Sequence, residues 1–224
     1  MRQHVNPLSR FFQLPKEVEP PEDLFGNASL PIHLDIGSAR GRFLIDLASL
    51  HKDWNHIGVE IRSPLVLAAE KERIAMRLDN LCFLFCNANV SLPHWLYNLG
   101  PNQLGKVSIQ FPDPWFKRRH YKRRVLQPEL IIALSSAMSL GGQLFIQSDL
   151  LNVINPMIYL IKETSCFDSI LEGESVFRER NPFPFMTERE AYASSQGIPI
   201  YRSLFRRNSQ LPPDLNDFIS NLKM

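Results

Sequence analysis

Cysteine is scarce: the chain has three, Cys82, Cys86 and Cys166. They make no paired framework, and no two of them form a Cys-x-x-Cys site. A disulfide scaffold and a structural zinc site are therefore excluded, and a reducing compartment fits. Long apolar runs are missing too. Nothing approaches the ~20 residues needed for a membrane span, and the first residues lack the apolar core of a signal peptide. Neither sign of charge dominates, because 25 Lys and Arg face 23 Asp and Glu, for a net charge of +2. A cationic function must rest on local clustering. No internal repeat or second domain is visible. The 224 residues suit one large domain with a sizeable core.

What is present is concentrated. Six of the eight residues 117–124 are Lys or Arg, and Arg202, Arg206 and Arg207 form a smaller cluster. Just upstream, Lys106-Val-Ser-Ile-Gln-Phe111 reads as a buried strand, and Pro112 and Pro114 then flank Asp113. Each proline fixes its own φ and keeps the preceding residue out of the helical region. Phe111 and Asp113 are therefore expected to be extended, with the acid on a stiff loop at a strand end. In an open α/β sheet that is where ligands bind. Trp115 adds a flat stacking surface, and the cation density suits a phosphate backbone. Singly, each part has a plainer reading: the basic run as a solvated face or localisation signal, the acid as a turn residue, Trp115 as core.

The rest of the chain alternates strand and helix. Residues 1–29 are proline-rich and without hydrophobic period, and read as an arm. Pro31–Ile36 is a strand, Gly37-Ser-Ala-Arg-Gly41 a tight turn and Arg42–Leu50 a helix. Asp35-x-Gly37-x-x-x-Gly41 thus falls where a nucleotide-type ligand approaches bare backbone. Ala39 in that turn is expected to keep φ below zero. His56–Ile61 is the second strand, and Glu60 near its end can accept from both hydroxyls of a ribose, or be a surface acid. Pro64–Leu78 has helical spacing. Leu81–Cys86 is the third strand, followed by Asn87-Ala88, and Leu92–Tyr97 a short helix whose Trp95 reads as core. Gln127–Leu140 reads as a helix ended by Gly141-Gly142. Gln143–Ser148 is a fifth strand with Asp149 at its end, and Asn152–Thr164 a further helix. Thr187–Glu190 has the form of a capping box. Ile198–Arg206 is a final strand, and the prolines past Asn208 read as a loose tail.

Residues 111–124 resemble the signature of the tRNA (guanine-N7)-methyltransferases, Phe-Pro-Asp-Pro-Trp-x-Lys-x-Arg-His-x-Lys-Arg-Arg, with Phe116 and Arg118 in variable slots. Met1–Leu8 resembles the N-terminal stretch of cyanobacterial and plastid members. The glycine turn resembles the first motif of class I S-adenosylmethionine-dependent methyltransferases, with Ala39 in place of the middle glycine. Asn87-Ala88 resembles the pair that sits on the adenine, where many bacterial members have Asp. Ser148-Asp149 stands in a Thr-Asp slot. Thr187 and Glu190 match the outer residues of a Thr-x-aromatic-Glu element that contacts substrate, with Arg189 replacing the aromatic.

The resemblance implies an α/β fold of the class I, Rossmann-like type: a mostly parallel sheet flanked by helices, with a final antiparallel strand. Residues 30–208 would be the methyltransferase domain, 1–29 an arm and 209–224 a tail. It implies methyl transfer from S-adenosylmethionine to N7 of guanine 46 in the variable loop of tRNA, without a metal. Asp35, Gly37, Glu60, Asn87 and Asp113 would hold the cofactor, with Asp113 also catalytic. Lys117, Asp149, Thr187 and Glu190 would meet the substrate. Arg118, Arg119, Lys122, Arg123 and Arg124 would hold the RNA backbone. The setting would be bacterial cytoplasm or plastid stroma, with no membrane contact. Monomer, homodimer and helper-assisted forms all stay open. A non-catalytic tRNA-binding protein on the same fold is the alternative.

Overall fold

β1 (Ile32–Ile36) is buried at every position, the pattern of a parallel strand covered on both faces. β2 (Asn55–Glu60) is buried throughout as well, and β4 (Leu104–Gln110) over its last four residues. The computed structural model describes residues 5–170 and 177–222, without the side chain of Arg118. β3 (Leu81–Phe85), β5 (Met138–Ser148), β7 (Tyr201–Arg207) and a short β6 (Phe167–Ser169) complete one seven-stranded sheet, ordered β3-β2-β1-β4-β5-β7-β6. The first five strands pair in parallel, and β7 runs antiparallel to both β5 and β6.

The helices cover both faces. α1 (Pro21–Leu24) is a single turn in the arm. α2 (Arg42–Leu50) buries Phe43, Leu44, Ile45, Leu47 and Ala48 on one side, with Phe83 and with Val66 and Ala69 of α3 (Ser63–Ala75). The larger core, on the opposite face, takes α4 (Ala88–Tyr97), α5 (Pro128–Ala137) and α6 (Leu151–Glu163). α7 (Glu188–Ser195) precedes β7. Trp95 is core as expected, 5 % exposed.

Chain direction across the sheet reverses between β1 and β4, which lie side by side although two strands separate them in sequence. The crevice beyond the carboxyl ends of such a pair is the binding position of open α/β sheets. Asp35, the glycine turn and Asp113 all stand there.

Three local expectations are corrected. α5 stops at Ala137, and the strand starts at Met138 rather than after the glycines. Gly141, at φ +80°, lies inside β5, where the pairing with β4 shifts register. The segment after Asn208 contains α8 (Leu215–Asn221), capped by Asp214, with Phe218 buried in the main core. The arm, from Val5 on, lies against the domain: the Trp95 indole donates to the Glu19 carbonyl at 3.0 Å, and Lys16 N to Ser91 Oγ at 3.0 Å. Met1–His4 of the family-like N terminus lie outside the described residues.

Candidate active site

β4 delivers Asp113. Phe111 N donates to Gln147 O at 2.8 Å, a last rung of the sheet, and its ring is buried. Its φ is +47°, left-handed rather than extended. Pro112 closes the right-handed helical region to it, and the turn leaves the sheet through the small left-handed one, at a cost of about 1–2 kcal/mol. Asp113 then borders three cavities. The first, about 120 Å³, is walled by Gly37, Glu60, Asn87 and Trp115, and by Val5 and Pro7 of the arm. The second, about 490 Å³, is walled by the glycine turn, Asp35, Arg62, Thr187, Arg189 and Tyr192. The third, about 280 Å³ and mostly apolar, lies between Tyr121 and α6.

The glycine turn is pinned to β2. Gly37 N and Ser38 N both donate to Val59 O, at 2.8 and 3.1 Å. Gly37 and Gly41 have φ of +91° and +74°, and a Cβ at Gly41 would stand 2.3 Å from the Phe83 ring. Ala39 also has positive φ, +51°, against expectation. Its N–H is held by Glu60 Oε2 at 3.1 Å, and that bond offsets the cost of the conformation.

Asp35 is 4 % exposed and accepts from Ser108 Oγ at 2.5 Å and Gln110 Nε2 at 3.3 Å. Burial raises its carboxyl to about 6, against the pull of those two bonds. Glu60 is fully engaged: Oε1 accepts from Arg62 N and Nε, and Oε2 from Arg62 Nη2 and Ala39 N. These four bonds fill the carboxylate's lone-pair positions. Asn87 lines the first cavity, and its side chain is engaged on both sides. Oδ1 caps α4 through Asn89 N, and Nδ2 donates to the arm carbonyls of Pro7 and Phe12 at 3.2 and 3.1 Å.

The substrate-side residues divide. Thr187 borders the second cavity and caps α7 through Glu190 N at 3.2 Å. Lys117, Asp149 and Glu190 line none of the three cavities. Glu190 is fully buried and accepts from Gln147, Asn181 and Arg202, so it is a structural hub and only half of a capping box. Asp149 is ion-paired with Arg189. In the basic loop, which winds as a 3-10 turn over Arg118–Arg123, Lys117, Arg119 and Lys122 face solvent. Arg123 lies over the Trp115 ring at 5.0 Å, and Arg124 over Tyr121 at 3.9 Å. The side chain of Arg118 lies outside what is described.

Sequence reasoning missed Arg62, Gln110 and Gln147. The last two had a signal: each is an amide in the buried final stretch of its strand, and they pair directly across β4 and β5. The set fits S-adenosylmethionine, with acids at the ends of β1 and β2 and an open, side-chain-free approach at Gly37, where an added Cβ would meet nothing within 4 Å. Among the described residues no cluster of metal-ligating side chains occurs, and no helix is long and apolar enough to cross a membrane.

A family model described as "Putative methyltransferase" matches residues 29–203. A Prochlorococcus marinus (strain MIT 9313) protein named tRNA (guanine-N(7)-)-methyltransferase is 58% identical over 217 residues, covering 97% of this chain and 92% of its own. A protein of the same name from Synechococcus sp. (strain CC9311) is 55% identical, with the same coverage. Among solved structures, the aminoglycoside resistance methyltransferase NpmB1 superposes with a TM-score of 0.53 at 15% identity, over 84% of this chain and 90% of that one. A Streptococcus mutans methyltransferase in complex with SAH gives 0.51 at 12% identity, over 92% and 99%. The two structures share the fold.

Proposed function

The chain belongs to the tRNA (guanine-N7)-methyltransferase family, and from that footing we propose that it methylates N7 of guanine 46 in the variable loop of tRNA. The observation that carries the reading is Asp113, a carboxylate bordering both the cavity of Glu60 and Asn87 and the cavity of Asp35, Thr187 and Arg189.

Bound S-adenosylmethionine supplies a methyl sulfonium. Guanine N7 has an in-plane lone pair and needs no deprotonation, so the protein's task is alignment and charge control. Asp35, Gly37 and Glu60 hold the cofactor. Asn87 serves that side by fixing Pro7 against the cavity. Asp113, stiffened by Pro112 and Pro114, favours positive charge as it builds on the purine. Thr187 meets the base, while Asp149 and Glu190 support it by holding Arg189 and Arg202. Lys117 grips O6 or a phosphate, leaving N7 open. Arg118, Arg119, Lys122, Arg123 and Arg124 engage the RNA backbone, with salt-sensitive affinity. A packed guanine must leave its stack to react. The reading places the protein in the cytoplasm with tRNA as its partner.

The test uses labelled S-adenosylmethionine and unmodified tRNA transcripts, with a guanine-to-adenine change at position 46. Label in the wild-type transcript alone supports both reaction and site. Label in both transcripts removes position 46. Label in neither, with tRNA still bound, favours the non-catalytic alternative.

A further inference from the structure

A row of side chains crosses four adjacent strands on one face of the sheet. On β7, Arg202 Nε donates to Gln147 Oε1 at 3.2 Å. On β5, Gln147 Nε2 donates to Gln110 Oε1 at 2.7 Å. On β4, Gln110 Nε2 donates to Asp35 Oδ1 of β1 at 3.3 Å. Arg202 faces Gln147, and Gln147 faces Gln110, in direct register. Every bond therefore points the same way, from a guanidinium through two amides to a carboxylate.

The direction is enforced at the far end. Gln147 is fully buried between the two members of an ion pair. Its oxygen faces Arg202, and its nitrogen also donates to Glu190 Oε2 at 3.0 Å. A flipped Gln147 would set its NH₂ against the guanidinium and its oxygen against the carboxylate. With Gln147 fixed, Gln110 must present its oxygen to Gln147 and its NH₂ to Asp35. Aligned bonds in a low-dielectric interior polarise and strengthen one another.

We infer that Arg202, acting through Gln147 and Gln110, is a positioning residue for Asp35, fixing the orientation of its carboxylate and favouring the charged form. The inference rests on the cofactor role proposed above for Asp35. It explains why a buried ion pair on the antiparallel side of the sheet is connected to the glycine turn. The other charged groups near Asp35 are separate from the relay. Glu60 on β2 opposes its ionisation. Arg40, Arg42, Arg62, Asp113, Glu188 and Arg189 border the same cavity. His33 reaches it only through the Ser108 hydroxyl.

The test is Gln147→Met, which breaks the relay but keeps the Arg202–Glu190 pair. The Asp35 carboxyl is titrated by carbon NMR in the cofactor-free protein, assigned with Asp35→Asn. The wild-type midpoint is expected at about 6, raised by burial. The variant's is expected to move up by about half a unit, threefold in proton affinity, and the pH dependence of S-adenosylmethionine binding to move with it. An unmoved midpoint overturns the relay. A midpoint that moves while binding ignores pH keeps the relay and removes the cofactor role of Asp35. Should Gln147→Met not fold, the wild-type side-chain amide protons of Gln110 and Gln147 are followed instead. They are expected to shift through the same midpoint, and invariance overturns the inference.

Discussion

The guanidinium of Arg189 is ion-paired with the carboxylate of Asp149, tying α7 to the loop that leaves β5. The arginine stands where the family element has an aromatic residue. Its guanidinium lies over the Tyr192 ring, 5.2 Å from the centroid, so a flat surface is kept at the cavity wall by a cation and a tyrosine together. Asp149, 8 % exposed at its side chain, has its charge compensated by this contact.

Removing the cation alone should therefore cost more than removing both partners. Arg189→Ala is expected to destabilise the protein by about 2 kcal/mol, and Arg189→Ala with Asp149→Asn by clearly less than the sum of the single changes. Urea unfolding of the four proteins gives the coupling. Additive costs would mean that the pair holds nothing.

Asp113→Ala separates chemistry from binding. Loss of a preorganised charge at the reacting centre is expected to lower kcat by about 10²-fold or more, with tRNA affinity nearly intact because the exposed cations of the basic loop remain. Single-turnover rates and filter binding measure the two. Wild-type rates in this variant would remove Asp113 from the mechanism.

Ala39 occupies a conformation that suits glycine, at φ +51°. Ala39→Gly is expected to stabilise the fold by about 0.5–1 kcal/mol, the left-handed cost relieved less the extra chain entropy of glycine. The Ala39–Glu60 bond is a backbone contact and survives the change. A lower urea midpoint in the variant would show that the methyl group contributes packing that outweighs the strain.

Acid should unfold the protein through two histidines. Burial lowers His33 well below 6.5 and His56 from 6.5 to about 4. Between those values the unfolded chain binds more protons, so stability rises with pH and is lost as pH falls. Asp35 works in the opposite sense, since its carboxyl is raised from 3.8 to about 6 and the folded state there binds the extra proton. The histidines are expected to prevail. His56→Phe should reduce the loss of stability from pH 6.5 to 4 by roughly 3 kcal/mol. An equally steep loss in the variant would assign it to other groups.

Much of this was legible in the chain. The alternation of strand and helix, the acids at strand ends and the Pro-Asp-Pro loop are all local patterns, and the sheet assembles as they imply. What escaped depends on partners distant in sequence. Glu190 reads as a substrate acid until Gln147, Asn181 and Arg202 close around it. The bonds from the Asn87 amide to the arm likewise join residues far apart in sequence. Phe111 and Ala39 show a different limit: residue preferences name the easy conformation, and a backbone hydrogen bond to a distant partner holds the costly one. α8 was hidden by the prolines before it, which end one segment without forbidding the next.

The bond from Asn87 to Pro7 joins residues 80 positions apart. During synthesis at about 5–20 residues per second, Pro7 precedes its partner from the ribosome by roughly 4–16 seconds. For that interval the first residues have no surface to rest on, and they dock only when the first three strands exist. The arm wall of the first cavity is therefore a late addition to the oldest part of the chain.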